Sequence, residues 1–105
     1  GSDNSFISIK IIGETTNRSA IGVRIKLDVT ENGDNRSIYR HVNSGGSFGA
    51  NPLRQCIGTG KAKVINTMEV YWPTTDKVQR FHNIMAGTMI EVREGSDELR
   101  FIGIN

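Results

Sequence analysis

Between Gly22 and Thr30 apolar and polar side chains alternate without a break. Val23, Ile25, Leu27 and Val29 point one way; Arg24, Lys26, Asp28 and Thr30 point the other. Successive side chains of a strand leave opposite faces of the sheet, so a period of two describes a strand with one buried face and one wet face. The run stops at Glu31-Asn32-Gly33-Asp34-Asn35, and Asn-Gly is the strongest short-range hairpin signal because both residues accept positive φ. The return strand runs from Arg36 to Val42, with Ile38, Arg40 and Val42 on one face and Tyr39 and His41 on the other. That hairpin commits the chain to β structure.

The rest of the sequence agrees. The apolar inventory is 13 Ile and 7 Val against 3 Leu and 4 Ala, with 8 Thr besides, and branching at Cβ favours the pleated strand over the helix. Phe6 to Ile12 reads as a strand with Ile7, Ile9 and Ile11 on one face. A polar connection follows from Gly13 to Ala20, and a glycine-rich loop spans Asn43 to Pro52. Leu53 to Ile57 is a short strand that ends at Gly58-Thr59-Gly60. Thr67 to Trp72 and Lys77 to Phe81 form a second hairpin across Pro73–Asp76. His82 to Gly87 reads as a loop, Thr88 to Glu94 as a strand, and Leu99 to Ile104 as the last strand. Seven to eight short, mostly antiparallel strands predict an all-β fold, a single small β-sandwich or a partly open barrel.

The 105 residues suit one domain, taken as 3–105, with Gly1-Ser2 read as the scar of a cleaved tag. Thirteen basic against 11 acidic residues leave a net charge of +2, which is not the basic excess of a nucleic-acid binder. No apolar run approaches the roughly 18–20 residues that span a bilayer, so no membrane insertion is expected. Cys56 is the only cysteine, which rules out an internal disulfide; it is expected to pack as a small hydrophobe.

Candidate chemistry is sparse. His41 and His82 lie in different hairpins, one on a wet strand face and one just past a strand end, and no HExxH or CxxC spacing accompanies them. No strand-to-helix elbow presents a serine, so no catalytic residues are assigned and no cofactor is expected. The stretch Ser44–Gly49 leads into Asn-Pro and a strand, whereas phosphate cradles lead into a helix; its glycines read as loop formers. Asp28, Glu31 and Asp34 with Asn32 or Asn35 cluster at the hairpin, but Asn-Gly-Asp is an ordinary turn and no metal site is assigned. Trp72 alternates with Met68 and Val70 and belongs to the core, whereas Tyr39 and Tyr71 fall on the opposite register as candidate sugar-stacking rings. Arg24 and Arg40 are expected to pair across strands with Asp28, Glu69 or Glu91.

Four segments taken together, Asn17-Arg18-Ser19-Ala20-Ile21-Gly22-Val23-Arg24, Ser44-Gly45-Gly46-Ser47-Phe48, Gly58-Thr59-Gly60 and Val70-Tyr71-Trp72-Pro73, resemble the ASPIC/UnbV domain in order and spacing. Two places depart from the family pattern. Gln55-Cys56-Ile57-Gly58-Thr59-Gly60 stands where a His-Phe-Gly-Leu-Gly type segment is usual, and Thr74-Thr75-Asp76 stands where Ser-Gly commonly follows the Trp-Pro. The resemblance implies a C-terminal module of a secreted or cell-envelope protein, preceded by FG-GAP or VCBS-type repeats that form a β-propeller. It brings no catalytic activity with it.

The resulting expectation is a non-catalytic accessory domain in an extracellular or periplasmic setting. Its partner is the upstream propeller of the same chain or another protein, and the alternative is a carbohydrate-binding module that takes polysaccharide. Asn17, Arg18 and Arg24 are the candidate docking residues, and Tyr39 and Tyr71 the candidate ligand-binding rings.

Overall fold

The computed structural model describes residues 4–13, 22–42, 53–73 and 75–104. Eight strands follow in chain order: β1 (Ser5–Ile12), β2 (Arg24–Glu31), β3 (Asp34–His41), β4 (Leu53–Gly60), β5 (Val64–Trp72), β6 (Lys77–Met85), β7 (Thr88–Arg93) and β8 (Arg100–Ile104). They make two four-stranded sheets, ordered β4-β1-β7-β8 and β3-β2-β5-β6. Every neighbouring pair is antiparallel except β1 with β7. A parallel pair cannot be closed by a hairpin, and here all of β2 to β6 lies between its two members. The architecture is the expected β-sandwich, with eight strands.

Alternation builds the core. Ile7, Ile9 and Ile11 of β1 and Ile25, Leu27 and Val29 of β2 are fully buried, joined by Ile57, Ile65, Met68, Val70, Trp72, Phe81, Ile84, Ile90 and Val92. Between β2 and β3, Asn32 (φ 55°) and Gly33 (φ 84°) form a two-residue turn tighter than the five-residue connection read from sequence. Both residues have the left-handed backbone that such a turn demands.

The strands outrun their expected bounds for a physical reason. Ile65 and Met68 are three residues apart, yet both are buried. A register shift between Asp28 and Val29 inserts Asn66 as an extra residue and breaks the period of two. Across from it, Phe81 and Ile84 are also three apart and both buried, with Asn83 at φ 56° between them. The segment read as a loop from His82 is therefore the continuation of β6 to Met85, and only Ala86-Gly87 turns the chain. Gly58-Thr59-Gly60, expected to end β4, is part of it; Thr59 is buried and its hydroxyl donates to the Ala62 carbonyl at 3.0 Å.

Two single-residue expectations are corrected. Cys56 is exposed, because Ile57 takes the inward position of β4 and turns its neighbour out to face Ser8, with Sγ 3.4 Å from the serine Oγ. His82 sits within β6, with its Nδ1 3.4 Å from the Thr67 hydroxyl.

Polar clasps close the sandwich at both ends of the β3-β2-β5-β6 sheet. At one end the Trp72 indole N–H donates to Gln79 Oε1, and Gln79 Nε2 donates to the carbonyls of Arg93 (2.9 Å), the last residue of β7 in the opposite sheet, and of Ser96 (2.7 Å) just past it. At the other end Glu31 accepts from Arg36 Nε at 2.9 Å and from the Lys61 backbone N–H at 2.6 Å. At Gly60 (φ 63°) a Cβ would press on the Glu31 carboxylate, which would have to shift from its place in the clasp. The Lys61 N–H, assisted by Arg36, holds the Glu31 carboxyl below its ordinary value. A carboxylate depressed on folding stabilises the fold above its unfolded pKa, and that contribution disappears as pH falls through the folded value.

Trp72→Ala is expected to cost roughly 3–5 kcal/mol, the range for a buried aromatic, read by chemical denaturation. Glu31→Gln is expected to flatten the acid limb of the stability–pH curve while leaving its shape near neutrality unchanged. An unaltered acid limb would show that the Lys61 clasp does not form.

Candidate functional site

β2 presents Arg24 and Lys26 on the outer face of its sheet, because their neighbours Ile25 and Leu27 are taken by the core. Pairing lines the outer side chains up in rows across all four strands. Arg24 stands opposite His41 of β3 and Tyr71 of β5, and Tyr71 stands opposite Val78 of β6. One step along, Lys26 stands opposite Tyr39 and Glu69, and Glu69 stands opposite Arg80. All of these but Arg80 line an open depression of about 640 Å³, bordered also by Arg40. Such volumes lie within the range of roughly 300–1,000 Å³ typical of small-molecule sites.

Cations lie over rings here. The Arg24 guanidinium is 5.8 Å from the Tyr71 ring centroid, and the Lys26 ammonium is 6.0 Å from that of Tyr39. Exposed contacts of this kind contribute about 0.5–1 kcal/mol each. The Tyr71 hydroxyl donates to Asp76 Oδ1 at 2.9 Å, and this bond raises the phenol above its ordinary pKa although Arg24 opposes the shift. Tyr39 is 66% exposed. Glu69 is already held by Arg80, whose Nε lies 2.7 Å from its carboxylate.

Three of the five residues singled out from sequence, Arg24, Tyr39 and Tyr71, thus meet in one depression. Asn17 and Arg18 lie outside the described residues, as does the glycine-rich loop. Of the other rings considered, Phe81 is buried in the core and Phe48 lies outside the described residues. The cross-strand ion pairs expected for Arg24 and Arg40 are not formed. Arg24 covers Tyr71, and Arg40 Nη1 donates to the Tyr39 carbonyl at 2.8 Å. Glu91 instead lies among Lys10, Arg93 and Arg100 on the other sheet. Lys26, His41, Glu69 and Val78 were missed as site residues. Lys26 was legible as the outward neighbour of Arg24, but the β2–β5 pairing that adds Glu69 was not.

At the hairpin tip the carboxylates are spent within the fold: Glu31 on Arg36 and Lys61, and Asp28 on the Ser37 hydroxyl at 2.6 Å. Among the described residues no group of three His, Cys, Asp or Glu side chains could hold a metal ion.

A second surface differs in character. β8 is an edge strand, with Phe101 opposite the buried Ile90 and Ile104 opposite Thr88; a register shift leaves Ile102 as an extra residue. Nevertheless Phe101 is 62% and Ile104 80% exposed, and Ile102 is exposed too. Phe6 and Met85, also exposed, flank the turn into β7 at the Ile104 end of β8: the Phe6 carbonyl accepts from Gly87 N–H, the Met85 carbonyl accepts from the Thr88 hydroxyl, and Thr88 pairs with Ile104.

The sequence model of the ASPIC and UnbV family matches residues 13–99. The chain belongs to this family. ASPIC/UnbV domains are accessory modules, and the family is not a known catalytic one. No curated protein and no solved structure matches the chain. The match covers every strand from β2 to β7, which is the whole β3-β2-β5-β6 sheet of this ASPIC/UnbV domain and the strands β4 and β7 of the other, while β1 and β8 lie outside it.

The raised Tyr71 phenol has a definite consequence. A group whose pKa is raised on folding contributes stability below its unfolded pKa, and that contribution is lost as pH rises through the folded value. In an ultraviolet titration the late-ionising tyrosine should vanish in Tyr71→Phe and move to lower pH in Asp76→Asn. No movement in Asp76→Asn would mean that the hydrogen bond is absent in solution.

Proposed function

We propose that this ASPIC/UnbV domain is a non-catalytic docking module that binds folded protein through the apolar end formed by β8, Phe6 and Met85. The observation that carries this reading is the exposure of Phe101, Ile102 and Ile104 on a strand whose outer backbone edge pairs with no other strand among the described residues. A soluble domain rarely leaves large aliphatic and aromatic side chains contiguous with an open strand edge unless something covers them. Burial of apolar area removes it from water at about 25 cal/mol per Å², while the free edge offers hydrogen bonds in register. The partner is the FG-GAP or VCBS-type propeller that the family resemblance sets before this module, and the setting is extracellular or cell envelope.

A decisive test is calorimetric titration of the domain with the upstream repeats expressed separately. Saturable binding is expected, weakened at least about tenfold by the pair Phe101→Asp and Ile104→Lys, a loss of about 1.4 kcal/mol or more. Absence of binding by the wild-type domain, or equal binding by the variant, overturns the proposal.

A further inference from the structure

The depression on the outer face of β3-β2-β5 is built differently from the β8 end and calls for a different ligand. Its charged groups do not balance. Arg24 has no ion-pair partner among the described residues, Lys26 reaches Asp28 only at 4.0 Å, and Arg40 spends a donor on a backbone carbonyl. Glu69, the one carboxylate among the described lining residues, is already engaged by Arg80. The depression therefore offers an excess of positive charge beside rings and an aliphatic floor: Tyr39 stands out into solvent, and Val78 is exposed next to Tyr71. A ligand that satisfies both features needs a flat C–H face and a negative group on the same unit.

We infer that this depression binds an acidic saccharide, with the ring of a uronic acid residue on Tyr39 and its carboxylate between Arg24 and Lys26. Arginine matches a carboxylate with two parallel donors, and the Tyr71 ring beneath keeps the guanidinium in place. Tyr39 and Tyr71 are separated by two strand spacings and a two-residue offset, on the order of 12 Å from sheet geometry. That span is wider than one sugar ring, so the depression has room for a neighbouring residue of the saccharide beside the one on Tyr39, while Arg24 already covers the Tyr71 ring. Charge complementarity favours sugar over a polyanionic nucleic acid, because the chain carries only +2 overall and its cations here are interleaved with rings and a carboxylate.

The test is a backbone-amide NMR titration with oligogalacturonate, run beside a neutral oligogalactoside, sodium sulfate and oligothymidylate. Saturable shifts confined to β2, β3 and β5 are expected with oligogalacturonate, weakening as ionic strength rises. Arg24→Gln and Tyr39→Ala should each lower affinity at least about tenfold at unchanged melting temperature. Arg54→Gln, an exposed cation on the opposite sheet, should leave affinity unaltered. The inference is overturned if the neutral sugar binds equally, if sulfate or oligothymidylate produces the same response, if Arg54→Gln weakens binding as much as Arg24→Gln, or if no titrant binds.

Discussion

Ile25, Leu27 and Val29 are fully buried on β2 while the side chains between them reach water. A slip of β2 by one residue would turn all three into solvent and bury Arg24, Lys26 and Asp28 in their place. The cost would be several kcal/mol for each stranded aliphatic group and more for each unpaired charge. Register is thereby fixed at the centre of the β3-β2-β5-β6 sheet, and the outer rows follow without further specification. Arg24 meets His41 and Tyr71, and Lys26 meets Tyr39 and Glu69, because their inward neighbours have no alternative. The depression is a by-product of core packing that polar residues then make selective.

Two clasps convert stacked sheets into a closed unit. Gln79 satisfies an otherwise buried indole N–H and, with its own amide N–H groups, two carbonyls from the far side of the sandwich. An unsatisfied buried donor costs about 1–3 kcal/mol, so a single glutamine covers what would otherwise be several liabilities. Glu31 acts at the other end through the Lys61 N–H, with Gly60 leaving room for the carboxylate. Between the clasps the Asn66 and Asn83 irregularities bend β5 and β6 together, keeping Ile65 and Ile84 inward past the break in alternation.

The two exposed surfaces rest on opposite physics. The β8 end is apolar with open backbone, where removal of area from water drives association with a folded surface. The face of β2, β3 and β5 is cationic and aromatic, where geometry and charge select a small repeating anion. β8 and the face of β2, β3 and β5 belong to different sheets, although Met85 of the docking end is the last residue of β6.

The sequence by itself determined the all-β class, the β2–β3 hairpin with its Asn32-Gly33 turn, the inward set of β1 and β2, the burial of Trp72 and the family. Each follows from local patterning: a period of two, a turn that needs positive φ, and motifs in a fixed order. Even the outward placement of Tyr39 and Tyr71 was legible, since each neighbours a core residue. Patterning failed where a bulge broke the period, so β6 was cut short at Phe81 and β5 was started late at Thr67. It failed again for Cys56, whose direction depends on which residue of β4 the opposite sheet claims. Only the tertiary structure decided that β2 lies between β3 and β5, that β1 and β7 run parallel, and that Phe101 and Ile104 lack cover. Those outcomes depend on contacts between segments distant in the chain, and the free energy of such pairings belongs to both partners at once, which no single stretch of sequence encodes.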